Sequence, residues 1–369
     1  MVRARAACAI ALAGALGLTG GVASAGTASV MTPHDPVRVI AKGLNGPFGL
    51  QSIKDHRRRQ SPQFVVAEAD VGQVSLVSGQ GRRRVLIDKI AGVSGVASGW
   101  GHLFALTGGP NEEGTPPMGD FPPSSVVRAD SNGRHAKVIA DLLKYEIDHN
   151  PDGQVQFVDG KPVDALSNPF SMNLSRFGLL VADGGANDVL RIDRRTGDIT
   201  TFFVPPTAMT PECLKPGAQA NPGTIGCDPV PTGIAVRGNS VYVSTLGAES
   251  PGAGKVYRLD GLTGKVQHVY EGLTAPTGVA VSPSGTIYVS EVLFGAPAGD
   301  GPPPDSFDPS SVGRITKISN GRMTHTPVTM PTGLEYTNGH LYASSWSTAG
   351  FLGMKNAGQI VEVNLRSFS

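Results

Sequence analysis

Cysteine is scarce in this sequence, with three residues among 369, and aromatic residues make up only 6%. The formal net charge is +1, which excludes the strongly basic surface that a nucleic-acid-binding protein needs. The apolar run Ala6–Leu18 is shorter than the roughly 20 residues that span a bilayer, so no transmembrane segment is expected. What the chain has in abundance is glycine, with 49 residues.

The first 25 residues have the pattern of an export signal. Arg3 and Arg5 precede the apolar run, and small residues at Ala23–Ala25 predict cleavage after Ala25. We therefore expect a secreted, extracellular protein.

Two cysteines follow the predicted signal peptide, Cys213 and Cys227. They lie 14 residues apart in a segment rich in proline and glycine, and in an oxidising compartment a disulfide is the simplest pairing. Such a bond would stabilise the fold by about 3 kcal/mol. A two-cysteine metal site is the alternative, although no histidine or further cysteine lies nearby in the sequence.

A repeated phrase predicts the fold. Pro-Thr-Gly plus an apolar residue, followed by a run resembling Tyr-Val-Ser, begins at Pro231, Pro276 and Pro331. Looser copies begin at Pro47, Val93 and Pro169. Alternating apolar runs of this kind are typical of strands, and repeats of about 40 to 50 residues are typical of β-propeller blades. The sequence therefore predicts an all-β, six-bladed β-propeller of four-stranded antiparallel blades.

The last unit has only three strands before the sequence ends. Residues 37–47 align position by position with residues 266–276, which form a fourth strand and the entry to the next unit. The N-terminal strand is thus predicted to complete the C-terminal blade and close the ring. This gives a flexible N-terminal segment in residues 26–36 and a single propeller domain in residues 37–369.

Long segments interrupt the repeat on one side. Because the strands of a blade are antiparallel, connections from the second to the third strand, and from the fourth strand to the next blade, share one face. Five long segments fall in these connections: Gly108–Ser125, Lys144–Asn168, Pro205–Val230, Leu293–Ser311 and Ser347–Ala357. Long connections in compact domains are usually functional. We call this side the loop-rich face and expect it to bind a small molecule, a polysaccharide or a protein.

One of these segments resembles a calcium-binding loop. Oxygen-bearing side chains stand at Asp148, Asn150, Asp152 and Asp159, with Gly153 at the sixth position. Alternate oxygen ligands around a glycine turn suit a hard cation, so calcium or another divalent cation is the candidate ligand. The alternative interpretation is that Asn-Pro-Asp-Gly is simply a turn.

A second candidate cation site consists of carboxylates just after the second strand of alternate blades. Glu68, Asp183 and Glu291 occupy this position in units 1, 3 and 5. If their side chains point into the channel, they form a ring able to hold a cation. If they instead cap the adjacent turns, they are structural.

The sequence resembles the ScyD/ScyE family of exported NHL-like propeller proteins. The resemblance is carried by Gly43–Leu50, by Asn150–Gly153 preceding Ser167–Phe170, and by Val230–Val236. It implies the fold and export, and brings no catalytic residues with it.

Nothing in the chain identifies a reaction. We predict a secreted, monomeric binding or scaffold propeller whose loop-rich face holds a ligand or partner. The alternative is a divalent-metal-dependent hydrolase resembling lactonases, with Glu68, Asp183 and Glu291 as metal ligands.

Overall fold

The computed structural model describes residues 35–53, 62–110, 119–163, 165–218, 221–297, 304 and 306–369. The predicted signal peptide and nearly all of the predicted flexible segment lie outside these residues. Six four-stranded antiparallel sheets are arranged as the blades of a propeller, which confirms the predicted fold. No helix in the described part of the chain is long and apolar enough to cross a membrane.

The strands follow the chain from blade to blade, and the first strand of the chain belongs to the last blade. Their bounds are β1 (Val37–Leu44); in blade 1, β2 (Pro47–Ile53), β3 (Gln63–Glu68), β4 (Gln73–Ser78) and β5 (Arg83–Ile87); in blade 2, β6 (Val96–Gly99), β7 (His102–Leu106), β8 (Ser125–Asp130) and β9 (Lys137–Asp141). A helix, α1 (Leu142–His149), and a hairpin of β10 (Phe157–Val158) and β11 (Lys161–Pro162) follow. Blade 3 has β12 (Pro169–Ser175), β13 (Gly178–Asp183), β14 (Asp188–Ile192) and β15 (Ile199–Phe203). Blade 4 has β16 (Pro231–Arg237), β17 (Ser240–Thr245), β18 (Gly254–Asp260) and β19 (Val266–Leu273). Blade 5 has β20 (Pro276–Val281), β21 (Ile287–Glu291), β22 (Arg314–Ser319) and β23 (Arg322–Pro327), and blade 6 has β24 (Leu334–Thr337), β25 (His340–Ser345) and β26 (Gly358–Val363).

Burial decreases from the second strand of a blade to the outermost one. All six residues of β13 are buried, because both faces of this strand are covered by neighbouring blades. By contrast, five of the eight residues of β19 are exposed. The apolar core is correspondingly divided into clusters between adjacent blades. In the cluster between blades 2 and 3, for example, Phe104 and Leu106 pack with Leu179 and Leu190.

The threonines of the repeated phrase join neighbouring blades. The hydroxyl Oγ1 of each donates to the carbonyl oxygen of the proline that begins the next blade: Thr232 to Pro276 (2.8 Å), Thr277 to Pro331 (3.0 Å) and Thr332 to Pro47 (3.1 Å). Ser94 makes the equivalent bond to Pro169 at 2.6 Å. At four of the six junctions, a small polar side chain at this position therefore joins one blade to the next.

Phenylalanine replaces the hydroxyl residue in blades 1 and 3. The rings of Phe48 and Phe170 meet edge to face with centroids 5.7 Å apart, although their blades are not neighbours. They lie at the start of inner strands, on the side of the loop-rich face. The central cavity beside them has a volume of only about 50 Å³. The channel is thus too small to hold more than a few water molecules.

The ring closes as the sequence predicts. Strand β1 pairs antiparallel with β26, from Val37 opposite Val363 to Leu44 opposite Gly358. Side chains reinforce the seam, because Arg38 on β1 forms an ion pair with Glu362 on β26. The second carboxylate oxygen of Glu362 lies 2.6 Å from Nδ1 of His340.

We expect Glu362 to make the protein sensitive to acid. Burial raises the pKa of Glu362, but hydrogen bonds and charge from Arg38 and His340 outweigh burial, and the net pKa lies below the ordinary value of 4.5. A carboxyl with a lowered pKa in the folded state stabilises above pH 4.5, and this contribution is lost as the pH falls below that value. Glu362→Gln should therefore cost about 1 kcal/mol at pH 7. The difference in free energy of unfolding between the wild type and Glu362→Gln should shrink as the pH falls from 7 towards 3. Urea unfolding of the two proteins at several pH values in this range would measure it. Parallel stability curves for the two proteins would contradict this role.

Candidate functional site

The described residues of all five long segments belong to connections on the predicted face. They connect β7 to β8, β9 to β12, β15 to β16, β21 to β22 and β25 to β26. The predicted disulfide is confirmed, with the Cα atoms of Cys213 and Cys227 4.9 Å apart. An isolated pair of backbone hydrogen bonds between Ala208 and Cys227 (2.8 and 2.9 Å) adds a second closure to the same segment. The connection between blades 3 and 4 is thus fixed to itself at two points.

Helix α1 was not predicted, since residues 144–168 were expected to form a loop. Asp141 caps its N-terminus by accepting a hydrogen bond from the backbone N–H of Lys144 at 2.9 Å. Asn150 ends it in the left-handed conformation, with φ of 45°. The next four residues form a turn in which the N–H of Gly153 donates to the carbonyl of Asn150 at 3.1 Å.

The four residues of the calcium-like loop either have other partners or are exposed. Asp148 lies on α1 and forms an ion pair with Lys144 at 2.5 Å, whereas Asp159 is exposed at the turn between β10 and β11. Asn150 donates its side-chain amide to the carbonyl of Gln154 at 2.8 Å. The oxygens of Asp152 accept from the Gln154 N–H (2.9 Å) and the Asn187 amide (3.2 Å). Within the described ranges, no three His, Cys, Asp or Glu side chains are grouped so as to hold a metal ion.

Glu68, the first of the predicted ring acids, is fully buried beside the closing strand. Its oxygens accept hydrogen bonds from four groups: the Ser75 hydroxyl (2.5 Å), the Gln73 amide (2.9 Å), the Arg83 guanidinium (3.0 Å) and the Asn45 N–H (3.0 Å). Arg83 also donates to the carbonyl of Gly43 on β1 at 3.0 Å. Glu68 therefore ties blade 1 to the strand that closes the ring.

Asp183, the second ring acid, is also fully buried. It accepts from the Ser167 hydroxyl (2.5 Å) and from three backbone N–H groups, those of Asn168 (2.7 Å), Gly185 (3.2 Å) and Ala186 (3.2 Å). Burial raises the pKa of Asp183, and these hydrogen bonds oppose the increase. The side chain caps the turn after β13 and holds the segment that enters blade 3.

Glu291, the third ring acid, is buried in the same position of blade 5. It accepts from the Thr274 N–H at 2.6 Å, and from Nε and Nη2 of Arg314 at 2.8 and 3.1 Å. The central cavity is lined by residues of the inner strands, and none of the three acids is among its lining residues. Each acid instead accepts the N–H of the segment that enters its own blade.

Arg314 connects Glu291 to the surface. Its guanidinium carbon lies 3.5 Å from the centroid of the Phe294 ring, in a cation–π contact. Phe294 remains 38% exposed in the connection between β21 and β22. A buried carboxylate, an arginine and an exposed phenyl ring thus form a column that rises from the blade to the loop-rich face.

Further large apolar side chains are exposed on the same face. The loop-rich face presents Val71, Met209, Leu214, Ile225, Phe294, Phe351 and Met354. Beneath the connections of blades 4 to 6 lies a further apolar cluster built around Leu246, Val292 and Met330. Rigidly supported apolar groups of this kind are typical of interaction surfaces.

The opposite face has a groove of about 590 Å³ between blades 3 and 4. Its lining includes Arg176, Asp260 and Lys265. Asp260 is already committed to its own turn, because its Oδ1 accepts from the backbone N–H groups of Leu262 (3.1 Å) and Thr263 (2.9 Å). Because the groove is formed by short turns, we do not regard it as the functional site.

Two buried acids were not predicted from the sequence. Glu146 on α1 is 4% exposed and Asp188 at the start of β14 is 0% exposed. Burial raises the pKa of Glu146 to about 8, with the Asp152 and Asp183 charges adding to the effect and a Gln156 hydrogen bond opposing it. Glu146 is the only acid of α1 that is buried, and Asp188 is a polar residue at the start of a strand, so no sequence pattern marks either of them.

Comparison with known proteins shows the fold alone. No family model and no curated protein matches the chain. Among solved structures, a gluconolactonase from Xanthomonas campestris is similar, with 12% identity, 89% of each chain covered and a TM-score of 0.54. A protein of unknown function from Bacteroides thetaiotaomicron has 11% identity, covers 89% of this chain and 75% of its own, and gives a TM-score of 0.53. A putative gluconolactonase has 16% identity, 89% and 92% coverage and a TM-score of 0.50.

Proposed function

We propose that the protein is a secreted binding propeller of the ScyD/ScyE type that holds a partner against its loop-rich face. The observation that carries the proposal is the Glu291–Arg314–Phe294 column, which supports an exposed phenyl ring on a face that carries other exposed apolar side chains. Aromatic residues and arginine are enriched at the energetic centres of interfaces. The partner is therefore expected to offer an apolar surface, as a protein does.

The hydrolase alternative receives less support. It requires Glu68, Asp183 and Glu291 to present free oxygens to the channel. Their oxygens instead accept hydrogen bonds from backbone and side-chain donors, and the central cavity has a volume of about 50 Å³. Substrate pockets are usually 300 to 1,000 Å³ in volume. This favours binding at the surface over chemistry in the channel.

Photocrosslinking tests the proposal at single positions. Phe294→p-benzoylphenylalanine keeps an aromatic ring at the loop-rich face, and the same replacement of Trp100 provides a matched control on the opposite face, where Trp100 is 39% exposed. Each protein is exposed to the secreted proteins of its native host and irradiated. We expect a discrete crosslinked product from position 294 and none from position 100. No product at 294, or the same product from both positions, would refute the proposal.

The supporting column gives a second readout. Once a partner is captured, Phe294→Ser should weaken its binding about tenfold or more, as loss of a central aromatic contact usually does. Trp100→Ser should leave the affinity unchanged. Surface plasmon resonance with both variants measures the difference, and equal affinities would remove Phe294 from the interface.

A further inference from the structure

Three side chains beside helix α1 carry buried oxygens that have no hydrogen-bond partner among the described residues. They are Oε2 of Glu146, Oδ1 of Asn150 and both carboxylate oxygens of Asp188. Buried polar atoms in native proteins are almost always satisfied, and an unsatisfied buried carboxylate is especially costly. Four such oxygens in one region would be satisfied by a bound cation, which accepts their lone pairs.

The three residues belong to one corner of the molecule. Asn150 follows Glu146 by one helical turn, and its N–H donates to the Glu146 carbonyl at 2.8 Å. Asp152, in the same turn, binds the side-chain amide of Asn187, the residue immediately before Asp188, at 3.2 Å. This contact brings the end of α1 and the start of β14 together.

The corner is strongly acidic. Four acids, Glu146, Asp152, Asp183 and Asp188, lie near enough to one another to interact electrostatically. None of the ion pairs formed by the described residues involves any of these four acids. Asp183 and Asp152 already accept hydrogen bonds, whereas Asp188 accepts none. These parts of the protein therefore supply no cationic side chain as a partner for the four acids.

We propose that Glu146, Asn150 and Asp188 bind a divalent cation, best matched by calcium, between helix α1 and strand β14. Carboxylate and amide oxygens are the ligands that calcium prefers, and a bidentate Asp188 with one oxygen from each of the other two gives four protein ligands. Water can complete the coordination. The set consists of two carboxylates and one amide. It is therefore a different kind of set from the groups of three His, Cys, Asp or Glu side chains considered above. It shares only Asn150 with the calcium-like loop predicted from the sequence.

Such a cation would join the connection between blades 2 and 3 to blade 3 itself. Without the cation, the Asp152–Asn187 hydrogen bond holds the turn after α1 to the residue before β14. With it, part of the loop-rich face becomes fixed to the propeller. The inference goes beyond the proposed binding function and does not depend on it.

Thermal unfolding with calcium alone tests the site. Protein freed of metal by a chelator should melt several degrees higher at about 1 mM calcium, a concentration at which extracellular calcium sites are commonly occupied. Glu146→Gln and Asp188→Asn should lose most of this shift. Asp148→Asn and Asp159→Asn, which change the exposed acids of the same segment, should keep it.

Two controls keep the result interpretable. Potassium chloride of matched ionic strength should give no shift. Metal-free Asp188→Asn should melt no lower than the metal-free wild type, because an amide replaces a buried acid. No calcium shift in the wild type, or a full shift in both Asp188→Asn and Glu146→Gln, would overturn the proposal. Photocrosslinking at position 294 is read independently, so either proposal can fail alone.

Discussion

Deletion of residues 37–44 is expected to abolish the stable monomer. These residues are strand β1, which supplies the outer strand of blade 6 and buries Ala41 and Leu44 in the core between blades. Their loss exposes the edge of β26 and removes the Gly43 carbonyl that Arg83 binds. An unpaired strand edge is a template for association. We expect a fall in melting temperature of more than about 4 °C, together with aggregation, because the loss exceeds the roughly 3 kcal/mol of a typical severe point mutation.

Size-exclusion chromatography and calorimetry would measure both effects. A synthetic peptide of residues 36–46 added to the truncated protein should restore part of the stability by occupying the open edge, whereas a scrambled peptide should not. A truncated protein that remains monomeric with an unchanged melting temperature would show that β1 does not close the ring.

Gly333→Ala is expected to destabilise the protein strongly. A Cβ atom at this position would lie 2.6 Å from the carbonyl oxygen of Phe48 and 2.9 Å from the backbone nitrogen of Leu50. Both atoms belong to the inner strand of blade 1, which packs against blade 6 and cannot move without its own blade. Overpacking against rigid backbone costs about 3 kcal/mol at the upper end of the usual range.

Gly339→Ala provides the matched control in the same blade. Gly339 has φ of 84°, and a Cβ atom added there would have no neighbouring atom within 4 Å, so only backbone strain opposes the substitution. This should cost about 1 kcal/mol. Urea unfolding of both variants separates the two causes. If Gly333→Ala were no less stable than Gly339→Ala, close approach between inner strands would not be the reason for glycine in the Pro-Thr-Gly phrase.

The repeat made the fold predictable because each blade has the same physical requirement. Glycine in the phrase permits close approach between inner strands, and threonine or serine bridges the junction, as Thr332 does to Pro47. The ring closure could also be predicted, since residues 37–47 align with a fourth strand and the start of the blade that follows it. The disulfide followed from two cysteines in one short segment.

For the candidate site, the sequence predicts only the face of the propeller on which it lies. Strand directions place the long connections together, but they do not determine where a side chain at a strand end points. Glu68 and Glu291 turn into their blades because the N–H groups of Asn45 and Thr274 and nearby cationic side chains attract them there. Those partners are distant in the sequence or lie on another strand, so no local pattern reveals them. The same is true of Asp188, whose neighbours on α1 precede it by about 40 residues.

The closure seam also determines how the propeller is oriented when it is attached to a surface or fused to another protein. The chain enters the ring at Val37 and leaves it at Val363, its partner across the seam, and the N–H of Asn364 donates to the carbonyl of Pro36 at 2.9 Å. This point lies at the turn between the third and fourth strands, on the side away from the long connections. A bead, a sensor chip or a fused protein attached at this point would therefore hold the propeller from behind and leave its loop-rich face pointing outward.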